Sequence, residues 1–148
     1  MTEGEIEEFL SGPVICRLGC LDETGWPYVV PVWMQYADGN FYLVPRERSR
    51  WAASLQRDGR CSLCMDVFEE HRRVLVKGNA RIVEEPNIGG SWVPILEEMA
   101  ERYWGARGRR YWRETLDEPR WLIQVETVAI TSWYGTWAQR YRHYDWSV

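Results

Sequence analysis

Short runs of β-branched and aromatic residues, each bounded by a turn signal, constrain the fold of this chain more than any other feature. The first two runs, residues 14–22 and 28–37, are separated by the turn sequence ETGWP. The tripeptide DGN at 38–40 then joins the second run to a third at 41–46, which is typical of a β-hairpin. Pro31 has no amide hydrogen, so the second run is predicted to be an edge strand or to carry a bulge.

One short helix interrupts the strands. Residues 49–57, SRWAASLQR, favour about two helical turns, and an Asp-Gly pair ends them. A fourth strand is predicted over residues 60–68 and a long fifth strand over residues 73–85. Gly78, in the middle of the fifth strand, indicates a bulge or a close backbone approach.

The pattern then changes to helical spacing. Residues 87–118 are predicted to form a helical insert, with one helix over 91–105 and a shorter one within 107–119. A last strand follows over residues 120–133, and residues 134–148 form an aromatic carboxy-terminal tail. Hairpin-linked strands with this insert favour a mainly β fold, an antiparallel β-barrel with α-helices, over a parallel α/β sheet. The 148 residues are expected to form a single domain.

The amino-terminal sequence MTEGEIEEFL predicts a capped helix and not a targeting signal. Thr2 suits the N-cap position, and Ile6, Phe9 and Leu10 fall on one helical face. A secretory signal begins basic and turns apolar, whereas this segment is acidic. No apolar run approaches the roughly 20 residues that a membrane span requires. We therefore expect a cytoplasmic protein without a membrane partner.

Four cysteines occur in the sequences CRLGC and CSLC, but their spacing does not predict a metal site. On a strand, Cys61 and Cys64 point to opposite faces, and Cys16 and Cys20 lie about 13 Å apart on one face. Neither pair can bind one zinc ion together, so reduced, buried thiols are expected and no metal. No Gly-x-Gly-x-x-Gly or Walker sequence is present, which argues against a Rossmann or P-loop nucleotide site.

Residues 102–113, RYWGARGRRYWR, interleave arginines with tryptophans and tyrosines. Single-stranded nucleic-acid channels use the same combination of rings and guanidinium groups. The net charge of the chain is −4, however, and no RNA-binding signature is present, so we expect no nucleic-acid partner. The segment is interpreted either as a lid over an anionic substrate or as a structural helix whose rings pack inward.

The start of the short helix combines the groups that bind a phosphate. Ser49 and Arg50 bring a hydroxyl and a guanidinium next to the free amides of a helix start, and Arg46 and Arg48 lie just upstream. The alternative is a solvated helix start whose arginines face water.

The order and spacing of these elements resemble the flavin-binding split-barrel superfamily, the group that includes pyridoxamine 5'-phosphate oxidase. The resemblance runs from about residue 4 to residue 133 and is carried by four sequences: GWPYVVPVWMQYADGNFYLV, SRWAASLQRDGRCSLCMD, RVLVKGNARIVEE and ITSW. It implies an antiparallel split β-barrel that binds FMN at the interface of a homodimer.

The resemblance also implies which residues hold the cofactor. Ser49 and Arg50 match the Ser-Arg pair at the phosphate-binding helix, and Trp51 stands where many members have lysine. Arg46 or Arg48 is then expected to supply the missing charge. The residues that match the strands flanking the flavin ring are Val30, Pro31, Val32, Trp33, Val44 and Pro45. The alternative for the second-strand residues is that they form an edge strand packed on the core.

The resemblance further implies an FMN-dependent oxidoreductase that transfers hydride to or from a small, planar or aromatic substrate. His71 and His143 have no neighbouring serine–carboxylate pattern, so no catalytic residue is assigned, and the cofactor is expected to carry the chemistry. The sequence WAQRYRHYDW lacks the arginine-histidine pattern of true pyridoxamine phosphate oxidases, so vitamin B6 oxidation is not expected. Two alternatives stay open: a deazaflavin-dependent reductase of the same fold, and a non-enzymatic carrier or sensor of flavin or haem.

Overall fold

A computed structural model describes residues 1–69 and 71–135 of the chain. Within these ranges the chain forms four helices and seven strands. In chain order they are α1 (Glu3–Ser11), β1 (Cys16–Leu21), β2 (Pro27–Val32), β3 (Gln35–Ala37), β4 (Asn40–Leu43), α2 (Arg50–Arg57), β5 (Arg60–Val67), β6 (Arg72–Asn87), α3 (Trp92–Trp104), α4 (Ala106–Glu114) and β7 (Arg120–Tyr134).

The seven strands form one sheet in the order β2-β1-β5-β6-β7-β4-β3, and every neighbouring pair is antiparallel. The mainly β, antiparallel fold predicted from the sequence is therefore confirmed. Strand β2 lies at one edge of the sheet, as the proline at position 31 requires, and Pro31 pairs with Arg17 of β1.

A bend at Trp33 and Met34 curls the sheet. These two residues alone separate β2 from β3, yet the two strands lie at opposite edges of the sheet. In a flat sheet of this order the edges would be about 29 Å apart, whereas the three Cα–Cα steps from Val32 to Gln35 span at most about 11 Å. The sheet must therefore curl until its edges approach each other, which is the geometry of a split barrel.

The bend also corrects one expectation. The sequence predicts a single strand over residues 28–37, but the structure breaks it at Trp33–Met34. The backbone of Met34 is bonded by helix α3, where the Tyr103 hydroxyl accepts from its amide at 3.4 Å and the Arg102 guanidinium donates to its carbonyl. Contacts between residues distant in sequence thus override the local strand preference.

Helix α1 begins as the sequence predicts. The Thr2 hydroxyl accepts from the Glu5 amide at 3.3 Å, and the Glu5 carboxylate accepts from the Thr2 amide at 2.6 Å, so the two residues form a capping box. Ile6, Phe9 and Leu10 are buried on one face of the helix.

Two buried clusters make up the described core. The larger one packs α1 and α2 against the sheet, and includes the fully buried Leu10, Leu18, Phe41 and Leu55. The smaller one lies under α3, and its buried members are Val44, Trp92, Leu96, Met99 and Leu122. The end of β4 therefore lies between the sheet and the helical insert, where the candidate site described below is found.

Three cysteines are buried and the fourth, Cys64, is half-buried, and all four carry free thiols. Burial raises the pKa of Cys16 and that of Cys61 to about 12. Among residues 1–69 and 71–135, no group of three or more histidine, cysteine or acidic side chains is arranged to hold a metal ion. No helix in the described part of the chain is long and apolar enough to cross a membrane.

Gly78 occupies a bulge, as predicted. The register between β6 and β7 shifts between Lys77 and Gly78. A Cβ atom added at Gly78 would collide with Cγ1 of Val125 and would lie 3.2 Å from the carbonyl oxygen of Glu126. The Val125 side chain and the Glu126 carbonyl of β7 thus leave no room for a Cβ atom at this position.

We expect Gly78→Ala to lower the free energy of unfolding by about 1–3 kcal/mol, because the added methyl group collides with Cγ1 of Val125. Gly19→Ala is the matched control, since Gly19 also lies in a central strand but a Cβ there meets only the Ser62 carbonyl oxygen at 3.7 Å. Urea denaturation of both variants measures the difference. Equal stability of the two variants would contradict the close approach at Gly78.

Candidate functional site

The ring of Trp33 is held at the bend by three aromatic rings of the helical insert. It stacks on Tyr103 with centroids 5.1 Å apart, and it meets Trp104 and Tyr111 edge to face at 4.9 and 5.8 Å. Such arrangements follow the ring quadrupoles and contribute to stability beyond the area they bury. A single tryptophan at the bend therefore connects the sheet to both helices of the insert.

Backbone pairing beyond the end of β4 brings two arginines together. Arg46 forms an isolated antiparallel bridge with Arg120, the first residue of β7. The amide of Trp121 donates to the Pro45 carbonyl at 3.0 Å, and the amide of Glu47 donates to the Pro119 carbonyl at 2.9 Å. Two like charges directly opposite each other destabilise a strand pair, so their surroundings have to compensate for the repulsion.

Arg120 is a buried cation with neutral partners. Only 2% of its surface is exposed, and its Nη2 donates to the Thr115 hydroxyl at 2.9 Å and to the Tyr111 hydroxyl at 3.4 Å. Its guanidinium also faces the rings of Trp92 and Tyr111 at 5.7 and 5.9 Å. Its Nε is buried without a hydrogen-bond partner. No carboxylate in the described part of the chain forms an ion pair with Arg120.

Arg46 is half-buried and has one charged partner. Its Nε lies 2.7 Å from Oε2 of Glu118, and both atoms are buried, although their geometry does not make a hydrogen bond. Its Nη2 donates to the Tyr111 hydroxyl at 3.3 Å. The site thus holds two guanidinium groups and one carboxylate, which leaves one positive charge in excess.

The Tyr111 hydroxyl accepts hydrogen bonds from both arginines. Burial raises the pKa of this hydroxyl. The hydrogen bonds from Arg120 and Arg46, together with their positive charges, lower it by more, so the pKa lies below the usual value of 10.0. By contrast, burial raises the pKa of Tyr103, whose hydroxyl donates to the Val14 carbonyl at 2.8 Å.

A pocket of about 230 Å³ lies at the bend, where Arg46, Arg120 and Tyr111 line it, and we call it the bend pocket. Seven of the residues predicted to contact a cofactor line it: Pro31, Val32, Trp33, Val44, Pro45, Arg46 and Trp51. Four residues that the sequence did not indicate complete the wall: Leu96, Met99, Tyr111 and Arg120. Segments distant in the sequence therefore converge on one concave site.

The remaining predicted residues lie outside the bend pocket. Val30 is half-buried and packs against the larger core, and Arg48 is exposed. Ser49 is the N-cap of α2, but its hydroxyl makes no capping hydrogen bond. Arg50 is 84% exposed and pairs with Glu23 at 2.9 Å.

A small recess of about 110 Å³ adjoins the bend pocket. Arg50, Ser54 and Trp51 line it together with Asp22, Glu23 and Tyr28. Because Trp51 lines both cavities, its side chain separates the start of α2 from the Arg46–Arg120 pair.

A wider apolar groove of about 840 Å³ runs across β1, β2, β5 and β6. Tyr28, Val29 and Val128 line the groove and are 43%, 66% and 70% exposed. Val29 and Pro31 lie two residues apart on β2 and therefore point to the same side of the strand. The groove and the bend pocket thus lie next to each other along β2.

Most arginines of residues 102–113 have partners within the protein. Arg109 pairs with Glu101 at 2.5 Å and Arg110 with Glu114 at 2.7 Å. The guanidinium of Arg107 lies 5.4 Å from the ring centroid of Trp104. These contacts favour the interpretation of a structural helix, with Tyr111 as the member that reaches the bend pocket.

Two pocket residues that the sequence analysis did not assign, Tyr111 and Arg120, differ in how strongly the sequence signals them. Tyr111 lies in the arginine-aromatic segment, for which a lid over an anionic substrate was one interpretation. Arg120 is the first residue of an apolar strand, and a charged residue at that position indicates only where the strand begins. Only its pairing with Arg46 reveals that it is buried.

Comparison with known proteins adds a family and a set of similar folds. The family model described as pyridoxamine 5'-phosphate oxidase matches residues 2–134. No curated protein sequence matches the chain.

Three solved structures illustrate the similarity of fold. The conserved hypothetical protein Rv2991 from Mycobacterium tuberculosis superposes with a TM-score of 0.68 at 26% identity, over 90% of this chain and 85% of that one. An F420 reductase gives 0.64 at 16% identity, over 84% and 94% of the chains. HutZ, the haem storage protein from Vibrio cholerae, gives 0.67 at 18% identity, over 90% and 96%. At 16% and 18% identity, the similarity to the F420 reductase and to HutZ shows a shared fold alone.

We expect Tyr111 to be the first tyrosine of the described chain to ionise on raising the pH, because two guanidinium groups stabilise its phenolate. Tyr111→Phe should remove the earliest phenolate step in an ultraviolet absorbance titration. Tyr103→Phe, the control for a buried tyrosine with a raised pKa, should leave that step in place. An unchanged early step in Tyr111→Phe would show that the arginines do not act on this hydroxyl.

Proposed function

Because the chain belongs to the pyridoxamine 5'-phosphate oxidase family, we propose that it is an FMN-binding oxidoreductase whose cofactor ring lies at the bend pocket. The observation that carries the proposal is the convergence on that pocket of seven residues predicted to bind the cofactor. They come from β2, the bend, the segment that follows β4 and helix α2.

The size of the bend pocket supports a shared site. Ligand pockets for molecules of cofactor size usually measure about 300–1,000 Å³, whereas this pocket measures about 230 Å³ in a single chain. A single chain would therefore enclose only part of an FMN molecule. A second copy of the chain would supply the remaining wall.

The apolar groove supports the same arrangement. Its exposed side chains form the kind of apolar surface that marks a protein–protein contact. Because Val29 and Pro31 share one face of β2, a partner seated on the groove would approach the bend pocket. We therefore propose a homodimer with the cofactor at the interface.

The start of α2 suits the cofactor phosphate. The unbonded hydroxyl of Ser49 and the exposed guanidinium of Arg50 lie next to the free amides of the helix start. Arg50 would exchange its exposed ion pair with Glu23 for the phosphate, and exposed pairs contribute little to stability. Arg48, which is exposed just upstream, would add a second charge.

Protein groups around the ring position would bind and orient the cofactor. Pro31 and Pro45 lack amide hydrogens, so their backbone has no donor to satisfy in a neighbouring strand, and Trp33 offers a ring surface held by three others. When bound, FMN supplies the hydride chemistry. The positive charge in excess at Arg46 and Arg120 would favour a reduced, negatively charged ring nearby.

The proposed activity is that of an oxidoreductase, but it does not include the vitamin B6 oxidation that gives the family its name. A deazaflavin in place of FMN would use the same pocket, and the F420 reductase of similar fold makes this the nearest alternative. A haem carrier of similar fold is the alternative outside enzymology. In the described chain only His71 is a histidine, and it lies in the turn before β6, so it does not line the bend pocket. His143 lies outside the described residues.

The absorbance spectrum of purified protein distinguishes these alternatives. We expect a flavin band near 450 nm, which NADH or NADPH would bleach if the protein is an oxidoreductase. A Soret band would identify haem instead. A colourless protein that binds a deazaflavin but not FMN would identify the reductase alternative.

We expect Arg50→Glu to fold normally and to bind FMN about 10- to 100-fold more weakly, because it replaces a charge-assisted hydrogen bond with repulsion. Arg57→Glu is the control. It makes the same change of charge at the other end of α2, about 10 Å away. Equilibrium dialysis against FMN measures both variants. Normal affinity in Arg50→Glu would remove the proposed phosphate site.

A further inference from the structure

The small recess at the start of α2 contains more negative than positive charge. Of the six described residues that line it, Asp22 and Glu23 are acidic and Arg50 is basic. Oε1 of Glu23 accepts a hydrogen bond from Nη2 of Arg50 at 2.9 Å. Hydrogen bonds from its own amide and from Arg50 lower the pKa of Glu23, so the carboxylate is charged at neutral pH. The guanidinium that would bind a cofactor phosphate is therefore already paired with a carboxylate.

The turn between β1 and β2 holds Glu23 at this place. The Asp22 carboxylate accepts from the amides of Thr24 and Trp26 at 2.8 and 2.9 Å, and from the Thr24 hydroxyl at 2.7 Å. The Gly25 amide donates to the Asp22 carbonyl at 3.1 Å and closes the turn with a φ of 85°, which glycine adopts without strain. The carboxylate of Asp22 is thus bonded within the turn, whereas that of Glu23 is available to the recess.

The start of α2 offers a carboxylate the same groups that would bind a phosphate. Arg50 is the first residue of the helix, and no acidic residue lies in its first turn, so α2 itself does not neutralise the positive end of the helix dipole. The hydroxyl of Ser49 makes no capping hydrogen bond. Trp51, the next residue, adds a ring and no charge to the recess. A carboxylate and a phosphate would therefore compete for one guanidinium.

We propose that Glu23 is a built-in competitor of the cofactor phosphate, which occupies Arg50 in the free protein and weakens the binding of flavins that carry a phosphate. The inference rests on the proposed function, because the anion concerned is the phosphate of FMN. It adds a residue outside α2 that regulates the affinity of the site through its charge.

Two effects of Glu23 oppose the binding of FMN. Arg50 has to leave the ion pair, in which the two side chains are 84% and 56% exposed, and exposed pairs of this kind are weak. The released carboxylate then stays on the β1–β2 turn near the phosphate, and like charges at such short range repel each other even in water. Because both effects act at an exposed site, together they lower the affinity by about three- to tenfold. Riboflavin, which has the same ring system but no phosphate, meets neither effect.

Equilibrium dialysis of the full-length protein against FMN and against riboflavin tests the proposal. Glu23→Gln keeps the size of the side chain and removes its charge. We expect this variant to bind FMN about three- to tenfold more tightly than the wild type, and riboflavin with unchanged affinity. A merely structural role of Glu23 would change the two affinities together. Glu85→Gln is the matched control, because Glu85 is exposed on β6 and outside the recess, so the same loss of charge should leave both affinities unchanged.

The same measurement in an Arg50→Gln background shows through which group Glu23 acts. Because the competition is for the Arg50 guanidinium, Glu23→Gln should tighten FMN binding less in that background than in the wild type. Equal FMN affinity of the wild type and Glu23→Gln overturns the competitor and leaves the proposed function standing. An equal gain for FMN and riboflavin overturns it as well. Failure of the wild type and of Glu23→Gln to bind FMN overturns the proposed function, and with it the role of Glu23.

Discussion

The bend at Trp33 and Met34 determines how the sheet, the helical insert and the pocket fit together. It sends the chain from one edge of the sheet to the other, so the sheet has to curl. Curling leaves the Met34 backbone without a neighbouring strand, and side chains of α3 bond it instead. Since unbonded buried backbone groups cost free energy, the barrel and the helical insert stabilise each other. The same bend turns Trp33 toward the insert and creates the pocket.

The electrostatics of the pocket are unfavourable taken alone. Two arginines face each other across a strand pair, and one of them is 2% exposed. A buried charge costs several kcal/mol even in a relaxed protein, which is a large fraction of a total stability of about 5–15 kcal/mol. Glu118, Thr115 and Tyr111 offset part of this cost through short contacts. The remaining imbalance is understandable if the site binds a negatively charged molecule.

Local signals in the sequence were enough to predict most of the elements. The Thr2 cap, the glycine bulge at position 78 and the edge position of Pro31 each depend on one residue type and its backbone limits. The break in the second strand was not predictable in this way, because Val-Trp-Met-Gln suits a strand and only α3 makes the bend favourable. Local pattern describes an element well until a distant segment competes for its hydrogen bonds.

The residues of the candidate site likewise divide into those that a local motif indicates and those that only long-range pairing brings to the site. Residues adjacent to a recognisable motif, such as Trp33, Pro45 and Trp51, could be predicted, and they line the pocket. Arg120 and Tyr111 could not be assigned, because their role arises from the pairing of β7 with the chain beyond β4. The position of Arg50 was also beyond sequence reasoning, since its ion pair with Glu23 joins residues 27 positions apart. Long-range pairing determines where a charge lies, and a single sequence carries little record of it.

Sedimentation velocity monitored at 280 and 450 nm shows whether two copies of this chain enclose a flavin at their interface. We expect one boundary at both wavelengths, at twice the 17.6 kDa mass of the chain, with one FMN per chain. A boundary at the mass of a single chain, with no 450 nm signal moving with it after incubation with FMN, would rule out the shared flavin site.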